Sequence, residues 1–500
     1  MRLEDFAQED RRHLIPQPGG ELEYRCLSCD ARYGIDELLY TCPQCGQVLL
    51  IEDRAFDRLK ERGGAHWRRV FDLRRMLNLP GLKGIFRYQE LVAPVIPLDS
   101  VLYLGEGHTP LVEATASLRE LVGVPFHFKN DGQNPSASFK DRGMAVALSY
   151  INYLIQHRGA GRVLSICAST GDTSASAALY AAYLAPRVAS AVLLPQGKVT
   201  PQQLSQPLGS GAAVFEIPGV FDDCMKVVEY LAEHYQVALL NSKNAWRIRG
   251  QESYAYEIAQ DLDYDLQDLV VLVPIGNAGN ISAVMAGFLK LHELGIITHL
   301  PKIMGVQSSH ADPVFRYYQD PPEKRRWQPV TVQPSVAQAA MIGNPVSMPR
   351  VMELARRYEE TAGRAAFFVV QVREQEIMDN MIQANRHGHI VCTQGGESLA
   401  GLRRARELGL VGPEERAILD ATAHHLKFIG FQQMYFEDRF HPEMEVKPRP
   451  ELVNHPQTVS PLPADELPAP GRPLQGQAFQ RFVEATAREI ARRLELEQRL

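Results

Sequence analysis

Little in this 500-residue sequence points to a membrane or a nucleic acid. No stretch approaches the roughly eighteen continuous apolar residues that a membrane-crossing helix needs, so no membrane partner is expected. The start, Met1 to Leu14, carries acidic residues and lacks the apolar core of a secretory leader, and the expectation is a soluble, cytoplasmic protein. A charge excess of one sign is also missing. Lys and Arg number 53 against 59 Asp and Glu, a formal net charge of -6, which gives no reason to expect a polyanionic partner such as nucleic acid. Local basic clusters, Arg68, Arg69, Arg74 and Arg75 or Lys324, Arg325 and Arg326, are interleaved with acidic residues and read as solvated faces.

Cysteine is scarce, 7 in all, but four of them form one pattern. Cys26, Cys29, Cys42 and Cys45 are two CxxC pairs, with Pro43 and Gly46 around the second. Two short turns carrying four thiolates in a reducing compartment suit a tetrahedral Zn²⁺; two disulfides or four free thiols are the alternatives. Four thiolates close the coordination sphere and leave no place for water, so the metal is expected to be structural. Cys167, Cys224 and Cys392 are scattered and read as small apolar core residues.

An apolar content of 45% over this length can bury at least two cores, and two or three domains are expected. A charged helical stretch spans Asp53 to Arg75. Short apolar segments at Arg162 to Cys167, Ala189 to Leu194, Ala212 to Ile217, Leu269 to Val273 and Lys302 to Val306 then alternate with helical runs, which predicts an α/β fold with parallel sheets flanked by helices. Beyond about Arg439 the character changes. Pro456, Pro461, Pro463, Pro468, Pro470 and Pro473 make a stiff or disordered linker. Phe479, Phe482, Val483, Ile490 and Leu494 follow at the spacing of one helix face, either packed on its own domain or presented to a partner.

The chemistry concentrates in three turns. Asn134 to Gly143, NPSASFKDRG, sets Lys140 among small residues. By itself the run reads first as a capped helix start, but a lysine in an apolar pocket can lose its proton and condense with an aldehyde. Ser169, Thr170, Gly171, Asp172, Thr173 and Ser174 precede an Ala-rich helical stretch, and Gly276, Asn277, Ala278, Gly279 and Asn280 follow an apolar run. Each is a strand, a small-residue turn and a helix start, where backbone N–H groups and the helix dipole favour an anion. A single such turn is ordinary strand-to-helix geometry. Two of them downstream of Lys140 fit a phosphorylated aldehyde cofactor and a carboxylate-bearing substrate, as pyridoxal phosphate and an amino acid supply.

With these motifs the chain resembles the threonine synthases, pyridoxal-phosphate enzymes with the tryptophan-synthase β-subunit fold, fold type II. The pieces that carry the likeness are GEGHTPL (Gly105 to Leu111), NPSASFKDRG, CASTGDTSAS (Cys167 to Ser176), QQLSQP (Gln202 to Pro207), NSKNAWRIRGQES (Asn241 to Ser253), PIGNAGNIS (Pro274 to Ser282), GNPVS (Gly343 to Ser347) and TAHHLKF (Thr422 to Phe428). The resemblance implies an N-terminal segment with a zinc ribbon (1–52), a large cofactor domain in two parts (53–145 and 242–440), a small mobile domain (146–241) and a tail (441–500). It implies that Lys140 holds the cofactor and moves protons. Gly276 to Asn280 would bind the cofactor phosphate, Thr422 would face the pyridine nitrogen, and Asp172 would lie near the cofactor phenolate, protonated or sharing a proton there. Ser169, Thr170 and Thr173 would hold the substrate carboxylate, and Asn241, Ser242 and Arg247 the substrate phosphate. The implied reaction converts O-phosphohomoserine and water to L-threonine and phosphate. Related synthases acting on O-phosphoserine, a dehydratase, and a non-catalytic ligand sensor are the alternatives, and a homodimer is compatible with all of them.

Two departures bear on substrate. Relatives commonly read EGQKT where this chain has Arg249, Gly250, Gln251, Glu252 and Ser253, so that Arg249 and Glu252 either pair with each other or place a carboxylate against the substrate phosphate. Gln203 stands where some relatives have lysine.

Overall fold

In this computed structural model, residues 1–169, 171–196, 201–219, 221–235, 237–469 and 471–497 are described. Near the start, Leu22–Cys26 alternates buried and half-buried residues, the pattern of a strand with one covered face, and forms β1. It pairs antiparallel with β2 (Arg32–Gly34) and β3 (Leu49–Asp53) in the order β2-β1-β3. The expected helical stretch from Asp53 to Arg75 is not continuous. β3 runs through Asp53, a short helix covers Asp57–Lys60, and Gly63 at φ 75° breaks the chain before the helix Gly64–Met76.

The apolar segments become two further sheets, each within two residues of its expected bounds. The first uses β4 (Leu111–Glu113) and β5 (Phe126–Lys129) together with strands from later in the chain. The second is built from β6 (Val163–Ala168), β7 (Val188–Pro195), β8 (Ala213–Ile217) and β9 (Val237–Leu239), all parallel in the order β8-β7-β6-β9. The first is completed by β10 (Leu269–Pro274), β11 (Lys302–Ser308), β12 (Phe367–Val372) and β13 (Arg416–Asp420), in the order β12-β11-β10-β13-β5-β4, with only β4 antiparallel to its neighbour. β10 is buried along its whole length between β11 and β13, as a continuous apolar run in a helix-covered parallel sheet requires.

The helix Lys140–His157 is buried over most of its length and packs on the helices Ala245–Gln251 and Asp172–Tyr183. Its approach to Ala245–Gln251 is set by two glycines. A Cβ on Gly250 would stand 2.1 Å from the Arg142 carbonyl oxygen, and one on Gly143 2.8 Å from that of Arg247. The same contact brings the first turn of the Lys140 helix beside Arg247. Arg142 anchors that turn through buried ion pairs with Asp131 at 2.7 Å and Glu257 at 2.8 Å.

Residues 1–449 and 450–500 are two compact units. The second contains the proline-rich segment and the expected terminal helix, Gly476–Arg493. No helix among the described residues is long and apolar enough to cross a membrane.

Candidate active site

The lysine turn is held from both ends. Ser138 bridges antiparallel to Ala423, Phe139 N–H donates to the Thr422 carbonyl at 2.9 Å, and His424 N–H to the Ala137 carbonyl at 3.1 Å. Ala137 sits at φ 62°, an unusual conformation for a residue with a Cβ, maintained by these bonds. Asp141 accepts from the backbone N–H of Ser136 at 2.6 Å and from its hydroxyl at 2.7 Å, and also from the Ser176 hydroxyl on the helix Asp172–Tyr183. Lys140 therefore leaves a rigid turn. Burial, reinforced by the nearby Arg247 guanidinium, brings its ammonium down from the ordinary lysine range to about 7, while Asp172 and Asp420 act in the opposite sense.

Lys140 lines a cavity with Asp172, Ser242, Arg247, Gly276, Asn277, Ala278, Gly279, Asn280 and Thr422. The predicted anion turn lies at the C-terminal end of β10. Ala278 adopts φ 63° immediately before the helix Gly279–Glu293, and no described residue takes up the N–H groups of Gly276, Asn277 or Ala278. Orphaned N–H groups at a helix start are what a phosphate needs, so the turn fits the phosphate end of a pyridoxal cofactor. A Cβ on Gly276 would press within 3.0 Å of Ala340, which explains the glycine there. Asn280 is turned to structural use, donating to Asp420 at 2.8 Å. Burial raises Asp420 well above the carboxylate range.

On the other side of the cavity, Arg247 is fully buried. Its Nη1 donates to the Leu240 carbonyl at 2.8 Å, its Nε has no partner, and no carboxylate of a described residue pairs with it. Burial lowers its pKa to about 10. Asn241 has both amide atoms engaged with Ala168, accepting at 3.1 Å and donating at 2.7 Å, so here it ties the loop to β6. Ser169 accepts from Gly171 N–H at 3.2 Å, and neither it nor Thr173 is among the described residues lining the cavity. Thr170 lies outside the described residues, as does the side chain of Gln203. Thr422 is buried, its hydroxyl 3.5 Å from the Cys392 sulfur.

The exchanged charges resolve differently from both readings of the sequence. Arg249 does not meet Glu252. It points to backbone carbonyls, Leu91 at 2.7 Å and Val92 at 3.4 Å, and Glu252 pairs with Lys290 at 2.5 Å and accepts from Tyr256 at 2.7 Å. Neither lines the cavity; Gln251, between them, does. Helical geometry explains this, since residues one apart face different directions. Three further residues had no role in the sequence reading. Gln251 and Gln394 line the cavity with amide atoms that lack partners, and Lys427 pairs with Asp172 at 2.8 Å. Lys427 lies inside a recognisable motif, but nothing local distinguishes it from a solvated lysine. Gln394 belongs to no such motif.

The four N-terminal cysteines converge. Their sulfurs all lie within 4.8 Å of one another, with Cys26 to Cys45 at 3.4 Å and Cys29 to Cys42 at 3.6 Å. These separations exceed a disulfide bond of about 2.05 Å and approach the ~3.8 Å edge of a tetrahedron with metal–sulfur bonds of about 2.3 Å. Turns at Asp30 (φ 57°) and Gly46 (φ 73°) fold the two knuckles back.

A buried lysine, an anion turn and two sheets built mostly of parallel strands fit a pyridoxal-phosphate enzyme, and a sequence profile of the family described as "Pyridoxal-phosphate dependent enzyme" matches residues 102–420. The chain is 35% identical over 405 residues to a threonine synthase of Methanocaldococcus jannaschii, covering 81% of this chain and 92% of the relative. It is 33% identical to threonine synthase 2, chloroplastic, of Arabidopsis thaliana, covering 79% and 74%. The crystal structure of threonine synthase from Escherichia coli shares the fold, with a TM-score of 0.61 at 19% identity over 86% of this chain and 93% of that one. That of pyridoxal-phosphate-bound threonine synthase from Brucella melitensis gives 0.58 at 19% identity over 81% and 89%. The chain belongs to the threonine synthase family of pyridoxal-phosphate-dependent enzymes.

Proposed function

We propose that the protein converts O-phospho-L-homoserine and water to L-threonine and phosphate. The observation that carries this reading is Arg247, a buried cation whose Nε is unpartnered and with which no carboxylate among the described residues pairs, in the same cavity as Lys140. A guanidinium in that setting is suited to a leaving phosphate dianion. When bound, pyridoxal phosphate supplies an electron sink for charge at the substrate Cα.

In this proposal Lys140 attaches the cofactor and then carries protons, a task matched by a pKa of about 7. It takes the Cα proton and passes it to solvent, then takes the Cβ proton as the C–O bond to the γ-phosphate breaks and a Cβ–Cγ double bond forms; it returns that proton to Cγ, water adds its hydroxyl at Cβ while water's own proton goes to the released phosphate, and a proton from solvent returns to Cα. Gly276, Asn277 and Ala278 would hold the cofactor phosphate by backbone N–H groups, with Gly279 and Asn280 opening the helix behind them. Thr422 would hydrogen-bond the ring nitrogen, and Asp172 would face the phenolate side. Ser169, Thr170 and Thr173 would take the substrate carboxylate, and Ser242 and Arg247 its phosphate, with Asn241 holding their loop. The small domain, 146–241, would move on substrate binding. The cysteines would hold a structural Zn²⁺, in a cytoplasmic protein where thiolates stay reduced, and the enzyme would work as a homodimer.

The test is to incubate wild type and Lys140→Ala with O-phosphohomoserine, or with O-phosphoserine plus sulfite, and measure released phosphate and the amino-acid product. Threonine with phosphate from the first substrate, lost in the variant, supports the reading. Cysteate from the second overturns it in favour of a sister synthase, and no product in either case leaves the ligand-sensing alternative.

A further inference from the structure

Two side chains join the N-terminal cysteine sheet to the segment that holds Ser242 and then, in the helix Ala245–Gln251, Arg247. Arg350, fully buried, donates from Nε and Nη2 to the Leu49 carbonyl of β3 at 3.1 and 2.7 Å. The same guanidinium donates from Nη1 to the Ser242 carbonyl at 2.8 Å and from Nη2 to that of Lys243 at 2.9 Å. No described carboxylate pairs with it. Trp246, next to Arg247, donates its indole N–H to the Tyr24 hydroxyl of β1 at 2.9 Å and stacks on Tyr150 at 3.9 Å. β1 ends at Cys26, Leu49 follows Cys45 closely, and the Tyr33 hydroxyl of β2 lies 3.2 Å from the Cys42 sulfur. A path of direct contacts thus runs from the cysteine knuckles to the cavity.

A guanidinium has a planar fork of donors, so one that spans carbonyls on two segments fixes their relative position. We propose that Arg350 is a positioning residue: it braces the Ser242–Lys243 turn, which leads into the helix carrying Arg247, against β3, so that affinity for phosphate at Arg247 depends on an intact cysteine sheet. This rests on the reading of Arg247 as a phosphate ligand. Arg350 also adds positive charge near Arg247. Lysine in its place would keep that charge but could not span three carbonyls.

The experiment compares holoenzyme of wild type, Arg350→Lys and Tyr24→Phe, and wild type stripped of metal by a chelator with the metal content measured. Inorganic phosphate binding is followed by calorimetry, amide exchange over 241–247 by mass spectrometry, and KM and kcat with O-phosphohomoserine by phosphate release. For Arg350→Lys the expected result is phosphate binding weakened by about tenfold or more, the scale of losing one or two charge-assisted hydrogen bonds. Faster exchange over 241–247 and a raised KM should accompany it, with kcat and cofactor absorbance retained. Tyr24→Phe and metal removal should move the same quantities in the same direction. Unchanged phosphate affinity and exchange in Arg350→Lys would overturn the proposal, and so would their loss together with the cofactor absorbance, which marks a general structural role. If wild type binds phosphate but makes no threonine, the functional reading fails while the brace stands. If wild type binds no phosphate, the phosphate-ligand reading fails and the proposal with it.

Discussion

Lys427 sets its ammonium 2.8 Å from the Asp172 carboxylate and 3.0 Å from the Ser136 carbonyl. One cation following β13 therefore reaches both the start of the helix after β6 and the turn that presents Lys140. Asp172 is only 6% exposed, and a carboxylate so enclosed needs a compensating charge. The resemblance implied that Asp172 would hold a proton or share one with the cofactor phenolate; the structure adds a cation beside it, drawn from a residue 255 positions away.

Lys427→Met leaves Asp172 buried without that partner. Truncating one member of a buried charge pair costs about 2–5 kcal/mol, so kcat/KM should fall by at least about tenfold. Lys427→Met combined with Asp172→Asn should recover part of the loss, because the stranded charge is gone. Steady-state kinetics with cofactor absorbance as a control for folding checks this; a single variant within about twofold of wild type would show the pair to be incidental.

Gln394 is 3% exposed and neither atom of its amide has a partner. A buried unpaired amide costs about 1–3 kcal/mol. Gln394→Leu should therefore leave the ligand-free protein as stable as wild type or more so, while raising KM by roughly tenfold. Thermal melting of apoprotein beside kinetics of holoenzyme separates the effects. Loss of stability with unchanged KM would mean that the amide serves the core and not a ligand.

Glu106 gives a pH dependence. Its carboxyl is fully buried, accepts from the Tyr180 hydroxyl at 2.6 Å and Leu104 N–H at 3.0 Å, and burial raises its pKa to about 8. The folded protein then holds a proton that the unfolded chain releases near its ordinary value of 4.5. The resulting stabilisation is complete below that value and is lost as pH rises through about 8, with a slope of up to about 1.4 kcal/mol per pH unit between them. Glu106→Gln keeps both hydrogen bonds and removes the titration. Melting temperatures of wild type should fall relative to Glu106→Gln from pH 5 to about 8, and parallel curves would rule the assignment out.

Legibility in the sequence follows the range of the cause. β6, β7, β10 and β11 were readable because each is a short apolar run closed by a turn, and the cysteine knuckles because a CxxC turn is local. The break at Gly63 was missed because charge density alone does not distinguish one helix from two. Arg249 and Glu252 could be flagged as unusual, but their partners, the Leu91 carbonyl and Lys290, lie 158 and 38 residues away and leave no mark near them. Arg350, three residues beyond GNPVS, drew no reading from the sequence, yet it is among the most deeply buried side chains.

By itself the sequence determined the alternation of strands and helices, the turn that presents Lys140, the glycine turn at Gly276 to Asn280 and the grouping of the four cysteines. Each depends on dihedral preferences and periodicities that act over a few residues. The tertiary structure alone decided which buried charges meet: Lys427 with Asp172, Glu252 with Lys290, and Arg350 with carbonyls of β3 and the Ser242 loop. A charge carries no local record of its partner, because its strength and direction are set by the burial and the neighbours that packing brings to it.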